Sequence, residues 1–117
     1  MNAWKQLNSI DDWKTAMASS HEKPVLVFKH STRCSISQMA LDRFNRSWMD
    51  EDLNHFKPYY LDLIAHRDVS NAIAEDTGIE HQSPQAILLI NGNEVLSETH
   101  QSIRLENFRN EIKKLSV

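Results

Sequence analysis

A single cysteine, Cys34, stands in the stretch Lys29-His30-Ser31-Thr32-Arg33-Cys34-Ser35-Ile36-Ser37. A thiol attacks another sulfur only as the thiolate, and with an ordinary pKa of about 8.5 it is mostly protonated at neutral pH. Apolar residues recur at Ile36, Ala40, Phe44 and Trp48, with Met39 beside them, which predicts an amphipathic helix running to about Leu53 with Cys34 at its N-terminus. There the unpaired backbone N–H groups of Ile36 and Ser37 are expected to point at the sulfur, and the helix dipole favours negative charge. Lys29, His30 and Arg33 add positive charge, and the Ser37 hydroxyl, one turn along, is expected to donate to the thiolate, so a depressed thiol pKa is anticipated. Free cysteines are often buried apolar residues. The polar neighbours Ser31, Thr32, Arg33 and Ser35 argue instead for a reactive thiol.

Ser37 occupies the place of the second cysteine in a Cys-x-x-Cys motif, so a mixed disulfide on Cys34 cannot be resolved within the chain. The chemistry would be monothiol exchange, although a serine is also an ordinary residue for a first helical turn. A second element is Ser83-Pro84, directly before an apolar strand, where a proline can be cis. Taken alone that dipeptide says little, because most such bonds are trans.

The elements that must position these residues follow from periodicity. Ser9 and Asp12 open a first helix that carries Ile10, Trp13 and Met17 and ends near Ser19. Pro24 to His30 is a short apolar, β-branched run, read as a central strand; Pro58 to Leu63 is a second inner strand. A helix from Asp68 to Thr77 closes on Gly78, and Gln85–Asn91 and Glu94–Glu98 form a hairpin around Asn91-Gly92. Leu105, Phe108, Ile112 and Leu115 mark a covering helix with Ser102 as N-cap, and Trp4 to Leu7 is a candidate edge strand. Trp13 and Trp48 fall on their helices' apolar stripes and are assigned to packing. The order is that of a thioredoxin fold: one α/β domain over residues 1–117, with a mixed four- to five-stranded sheet and helices on both faces. Such sheets carry their sites at the carboxyl ends of strands, where Cys34 falls. Within that order a cis Pro84 becomes an expectation by fold analogy.

Composition narrows the function classes. The chain has 117 residues, 40% hydrophobic and 25% charged, enough for one core without staples. A net charge of −3, with thirteen Lys and Arg scattered among sixteen acids, offers no footprint for nucleic acid. No apolar run approaches a membrane span and no signal peptide is evident, so no membrane partner and a cytoplasmic location are expected. With one cysteine, a disulfide scaffold is excluded. Six histidines invite a metal reading, yet no His-x-x-x-His or Cys-x-x-Cys spacing occurs, and Cys34 with His30 supplies only two ligands. No metal and no organic cofactor is expected.

His30-Ser31-Thr32-Arg33-Cys34-Ser35-Ile36-Ser37, together with Thr77-Gly78-Ile79-Glu80-His81-Gln82-Ser83-Pro84-Gln85, resembles the YtxJ family of monothiol bacilliredoxins, and the likeness in element order covers nearly the whole chain. The family usually carries proline where this chain has Ser35. The resemblance implies a thiol-disulfide oxidoreductase in which Cys34 attacks the mixed disulfide between a client protein and bacillithiol, frees the client and carries the bacillithiol itself. A second low-molecular-weight thiol or a partner reductase would regenerate it. Bacillithiol, the thiol co-substrate, carries carboxylates, so Lys29, His30, Arg33, His81 and His100 are candidate cations for it. Ser35, Ser83 and Pro84 complete the expected substrate-binding set beside the catalytic Cys34 and Ser37.

Two rivals from other classes remain at the level of sequence. A glutaredoxin-like protein would use glutathione or share an iron-sulfur cluster through Cys34. A non-catalytic thioredoxin-like module would bind an extended peptide along the proline edge while Cys34 stays unreactive.

Overall fold

Strand β2 (Val25–His30) explains the architecture: all six of its residues are buried, and they alternate between two cores. Val25 and Val27 join Trp13, Ala16, Leu61, Val69, Ile73, Ile87 and Leu89 on one face of the sheet. Leu26 and Phe28 join Ala40, Phe44, Phe56, Ala86, Leu88, Leu105 and Phe108 on the other. An apolar run without polar alternation is what a strand covered on both faces requires. The computed structural model describes residues 3–115.

In chain order the elements are β1 (Lys5–Gln6), α1 (Ile10–Ser19), β2, α2 (Ser35–Ser47), β3 (Lys57–Asp62), α3 (Arg67–Thr77), β4 (Gln85–Ile90), β5 (Asn93–Thr99) and α4 (Leu105–Leu115). The sheet order is β1-β3-β2-β4-β5. The first two pairings are parallel and the last two antiparallel. Helices α1 and α3 cover one face, α2 and α4 the other, as the two cores show. This is the expected thioredoxin order, with the short edge strand present. The hairpin turns on Asn91 and Gly92, both at positive φ (52° and 77°), the pair of left-handed residues a two-residue turn needs. Gly78 ends α3 at φ 72°.

Two local expectations are corrected, and a third is met. Helix α2 stops at Ser47 rather than near Leu53, because Trp48 turns to extended backbone and lays its indole on Phe44 and Phe56. Asp50–Asn54 is a separate 3-10 turn, held by Asp52, which accepts the Met49 N–H and takes both Nε and Nη2 of Arg109. Ser102 does not cap α4; its hydroxyl donates to the Thr99 carbonyl in a 3-10 turn (His100–Ser102), and Glu98 accepts the Arg104 N–H instead. Ser9 does cap α1 by accepting the Asp12 N–H, whereas Asp12 reaches past it to the Asn8 N–H.

Candidate active site

The loop after β2 and the loop before β4 leave the sheet at the same end, since Lys29 and Gln85 are the last register pair of these neighbouring antiparallel strands. The first loop carries Cys34, the second carries Ser83 and a cis Pro84. Cys34 is the N-cap of α2, half-buried, in extended conformation at φ −115° and ψ 119°. Its N–H donates to the Ser31 carbonyl at 3.2 Å, and its own carbonyl accepts the Gln38 N–H at 3.0 Å. The backbone thus pins Cys34 at both sides.

The sulfur itself accepts no capping hydrogen bond. The expected contact with the N–H groups of Ile36 and Ser37 is therefore absent, as suits a sulfur that is a weak acceptor and partly open to solvent. The expected donation from Ser37 is also corrected. Ser37 is fully buried, its Oγ accepts the Ser31 N–H at 3.0 Å, and it lies 2.7 Å from His30 Nδ1. Its hydroxyl is used to anchor the loop that precedes Cys34.

Strand alternation separates the two basic residues that end β2. His30 belongs with Leu26 and Phe28 on the α2 face, where burial lowers its pKa despite the Asp62 and Asp42 carboxylates and a hydrogen bond with Gln38. The ring is held neutral and packs beside Tyr60. Lys29 shares the α3 face with Val25 and Val27 and is fully buried. Its ammonium lies 2.8 Å from His81 Nδ1, which is also 3.2 Å from Ser70 Oγ, and burial lowers the Lys29 pKa to about 8. Neither Lys29 nor His30 is open to a ligand here, so the expectation that they touch a carboxylate directly is revised; Lys29 holds His81 and His30 holds Ser37.

The remaining candidates divide clearly. Arg33 and Ser35 are exposed beside Cys34, as are Ile36 (46%) and Met39 (65%), which give the first turns of α2 an apolar surface. Ser83 Oγ is buried with no hydrogen-bond partner among the described residues, and the buried Pro84 offers its carbonyl to the His100 N–H at 3.0 Å. His100 is exposed, at positive φ (53°). His81 is exposed while its Nδ1 is engaged.

Sequence reasoning missed Ser70, Arg67 and Gln85. Ser70 sits on the inner stripe of α3 between Val69 and Ile73, and a buried serine among apolar neighbours is the signal that could have found it. Gln85 is buried at the start of β4, where its Nε2 donates to the Glu80 carbonyl at 3.1 Å and ties down the loop ahead of Pro84.

A family model described as monothiol bacilliredoxin BrxC matches residues 5–108. A solved structure described as a putative oxidoreductase with a thioredoxin fold is 34% identical, covers 93% of each chain and superposes with a TM-score of 0.79. A thioredoxin of Malassezia sympodialis is 19% identical over 100% of this chain and 94% of its own, with a TM-score of 0.71. The thioredoxin NaTrxh of Nicotiana alata is 20% identical over 96% and 91%, also at 0.71. These two likenesses concern the fold. Among the described residues no helix is long and apolar enough to cross a membrane.

Proposed function

The chain belongs to the monothiol bacilliredoxin family, and from that premise we propose that it removes bacillithiol from S-bacillithiolated client proteins through Cys34. The observation that carries this reading is the pairing of one half-buried cysteine at a helix start with a serine at the resolving position. Thiol-disulfide exchange is the family's chemistry, and the particular adduct is the finer assignment.

In the proposed reaction the Cys34 thiolate attacks the bacillithiol sulfur in line with the client sulfur. The Cys34–bacillithiol bond forms, the client–bacillithiol bond breaks, and the client leaves as a thiolate that takes a proton from solvent. No net oxidation occurs. Because Ser37 cannot attack, the adduct waits for a second thiol: bacillithiol releases Cys34 and leaves as bacillithiol disulfide, which a separate reductase would recycle. Exposed Ile36 and Met39 offer the client an apolar surface beside the nucleophile. Such a cycle needs a reducing compartment, consistent with a cytoplasmic location, and it calls on no metal or organic cofactor.

Intact mass spectrometry tests the reading. The reduced chain is mixed with a bacillithiolated client, beside a glutathionylated client and a Cys34→Ala control. A bacillithiol adduct on the wild type alone is expected. Transfer of glutathione only would assign the chain to glutathione chemistry, and no adduct from either client would overturn the enzymatic reading.

A further inference from the structure

Lys29 is a fully buried cation with no carboxylate in ion-pairing distance among the described residues. Buried charges are ordinarily paired, because removal from water without a counter-charge is costly. Here the sole cause of the lowered Lys29 pKa is burial, with no acid acting in the opposite direction. Asp68 on α3 and Glu80 on the loop before Pro84 are exposed, and neither they nor Asp62 at the end of β3 form an ion pair with Lys29 or Arg67 among the described residues.

The ammonium donates and cannot accept, so its partner His81 Nδ1 must be the acceptor. That fixes the neutral tautomer of His81 with its proton on Nε2. The residue is exposed, and Nε2 makes no hydrogen bond among the described residues. Burial, Lys29 and Arg67 together hold the His81 pKa down, which favours the neutral ring. Arg67, the first residue of α3, is exposed. The Gln85 Oε1 atom, on the strand neighbour of Lys29, is buried and unpartnered as well. A donor thus faces outward over an unneutralised positive charge, at the end of the sheet that carries Cys34.

We infer that Lys29, His81 and Arg67 form an anion subsite, in which a carboxylate of the small thiol bound in the mixed disulfide accepts from His81 Nε2–H and supplies the counter-charge that Lys29 lacks. The inference rests on the proposed function for its choice of ligand. Lys29 acts through His81 as a positioning residue, while His81 and Arg67 are the groups that meet the anion.

Two measurements on the full chain separate the failure of the subsite from the failure of that function. In the first, L-malate is titrated as a carboxylate probe and the histidine ring signals are followed by 1H–15N NMR. A saturable shift of the His81 signals, lost in Lys29→Met, is expected; unmoved His81 signals, or an identical response in Lys29→Met, would overturn the subsite. This reading requires no turnover.

In the second, kcat/KM is compared for one client carrying either bacillithiol or uncharged 2-mercaptoethanol. The ratio should favour bacillithiol and fall by about tenfold in Lys29→Met and His81→Leu, while His81→Gln, which keeps an acceptor and a neutral donor, retains most of it. Acidic side chains of the client are the same in both arms and cancel. A ratio near one in the wild type would mean that any anion recognised belongs to the client, and would overturn the assignment to the small thiol. If neither adduct is transferred the proposed function falls, and the malate titration still decides the subsite.

Discussion

His30 Nδ1 and Ser37 Oγ lie 2.7 Å apart beneath the loop that carries Cys34, and the same oxygen accepts the Ser31 N–H. The serine at the resolving position is therefore a structural clasp between the end of β2 and the first turn of α2. Replacing it by alanine leaves a buried imidazole nitrogen and a backbone N–H without partners, each an expensive loss in a dry site. Ser37→Ala should lower stability by about 1–3 kcal/mol. Urea unfolding followed by tryptophan fluorescence measures this, and an unchanged midpoint would show that the clasp carries no free energy.

Ser37→Cys tests the other side of the same position. A thiol at residue 37 of the first turn can attack the adduct sulfur on Cys34, which the hydroxyl cannot. After reaction with a bacillithiolated client, the variant should end as an internal disulfide with no adduct mass, whereas the wild type retains the adduct. It should also be less stable than the wild type, because sulfur is a weaker acceptor for the Ser31 N–H. Intact mass before and after addition of client reads the first effect, and persistence of the adduct would contradict it.

How much of this was legible beforehand depended on whether backbone pattern or side-chain direction carried the information. The apolar run of β2 and the Asn91-Gly92 turn announce themselves, since burial on both faces and two positive φ angles demand those residue types. The spacing from Cys34 to Ser37 was equally visible. The direction of Ser37 was not, because helical spacing brings its hydroxyl near Cys34 and only packing decides that it turns to His30 and Ser31. The parity of β2 was available all along: adjacent strand residues face opposite ways, so Lys29 and His30 had to take different partners on opposite faces of the sheet. The end of α2 was hidden because Trp48 keeps the helical spacing of its stripe while reaching the core from extended backbone.

Asp52 and Arg109 tie the 3-10 turn to α4 by a two-point hydrogen-bonded ion pair at 3.0 and 2.7 Å. Burial raises the Asp52 pKa, but the bonds from Arg109 and the Met49 N–H outweigh it and hold the carboxyl below its usual value. A depressed acid stabilises the fold above its unfolded pKa, and that contribution is lost as pH falls through the folded one. Asp52→Asn should therefore cost about 1–3 kcal/mol at pH 7, with the gap to wild type closing as the carboxyl protonates in acid. Parallel urea titrations between neutral and acidic pH check it, and a gap independent of pH would assign the loss to the altered turn.

Lys29 gives a stability effect of opposite sign. Its ammonium titrates at about 8 in the fold against an ordinary 10.5, so the unfolded chain holds the proton more tightly. Below pH 8 both states are protonated and the full penalty, about 3 kcal/mol, weighs on the folded state. Between pH 8 and about 10.5 the fold sheds the proton first, and stability rises with pH by linkage. Lys29→Met removes the charge and keeps the length of the side chain, so it should be more stable than the wild type at pH 7. The difference should shrink above pH 8 as Lys29 becomes neutral. Unfolding of the two proteins side by side across this range cancels the other titrating groups. A Lys29→Met variant less stable than wild type at pH 7 would mean that the bond to His81 more than offsets the unpaired charge.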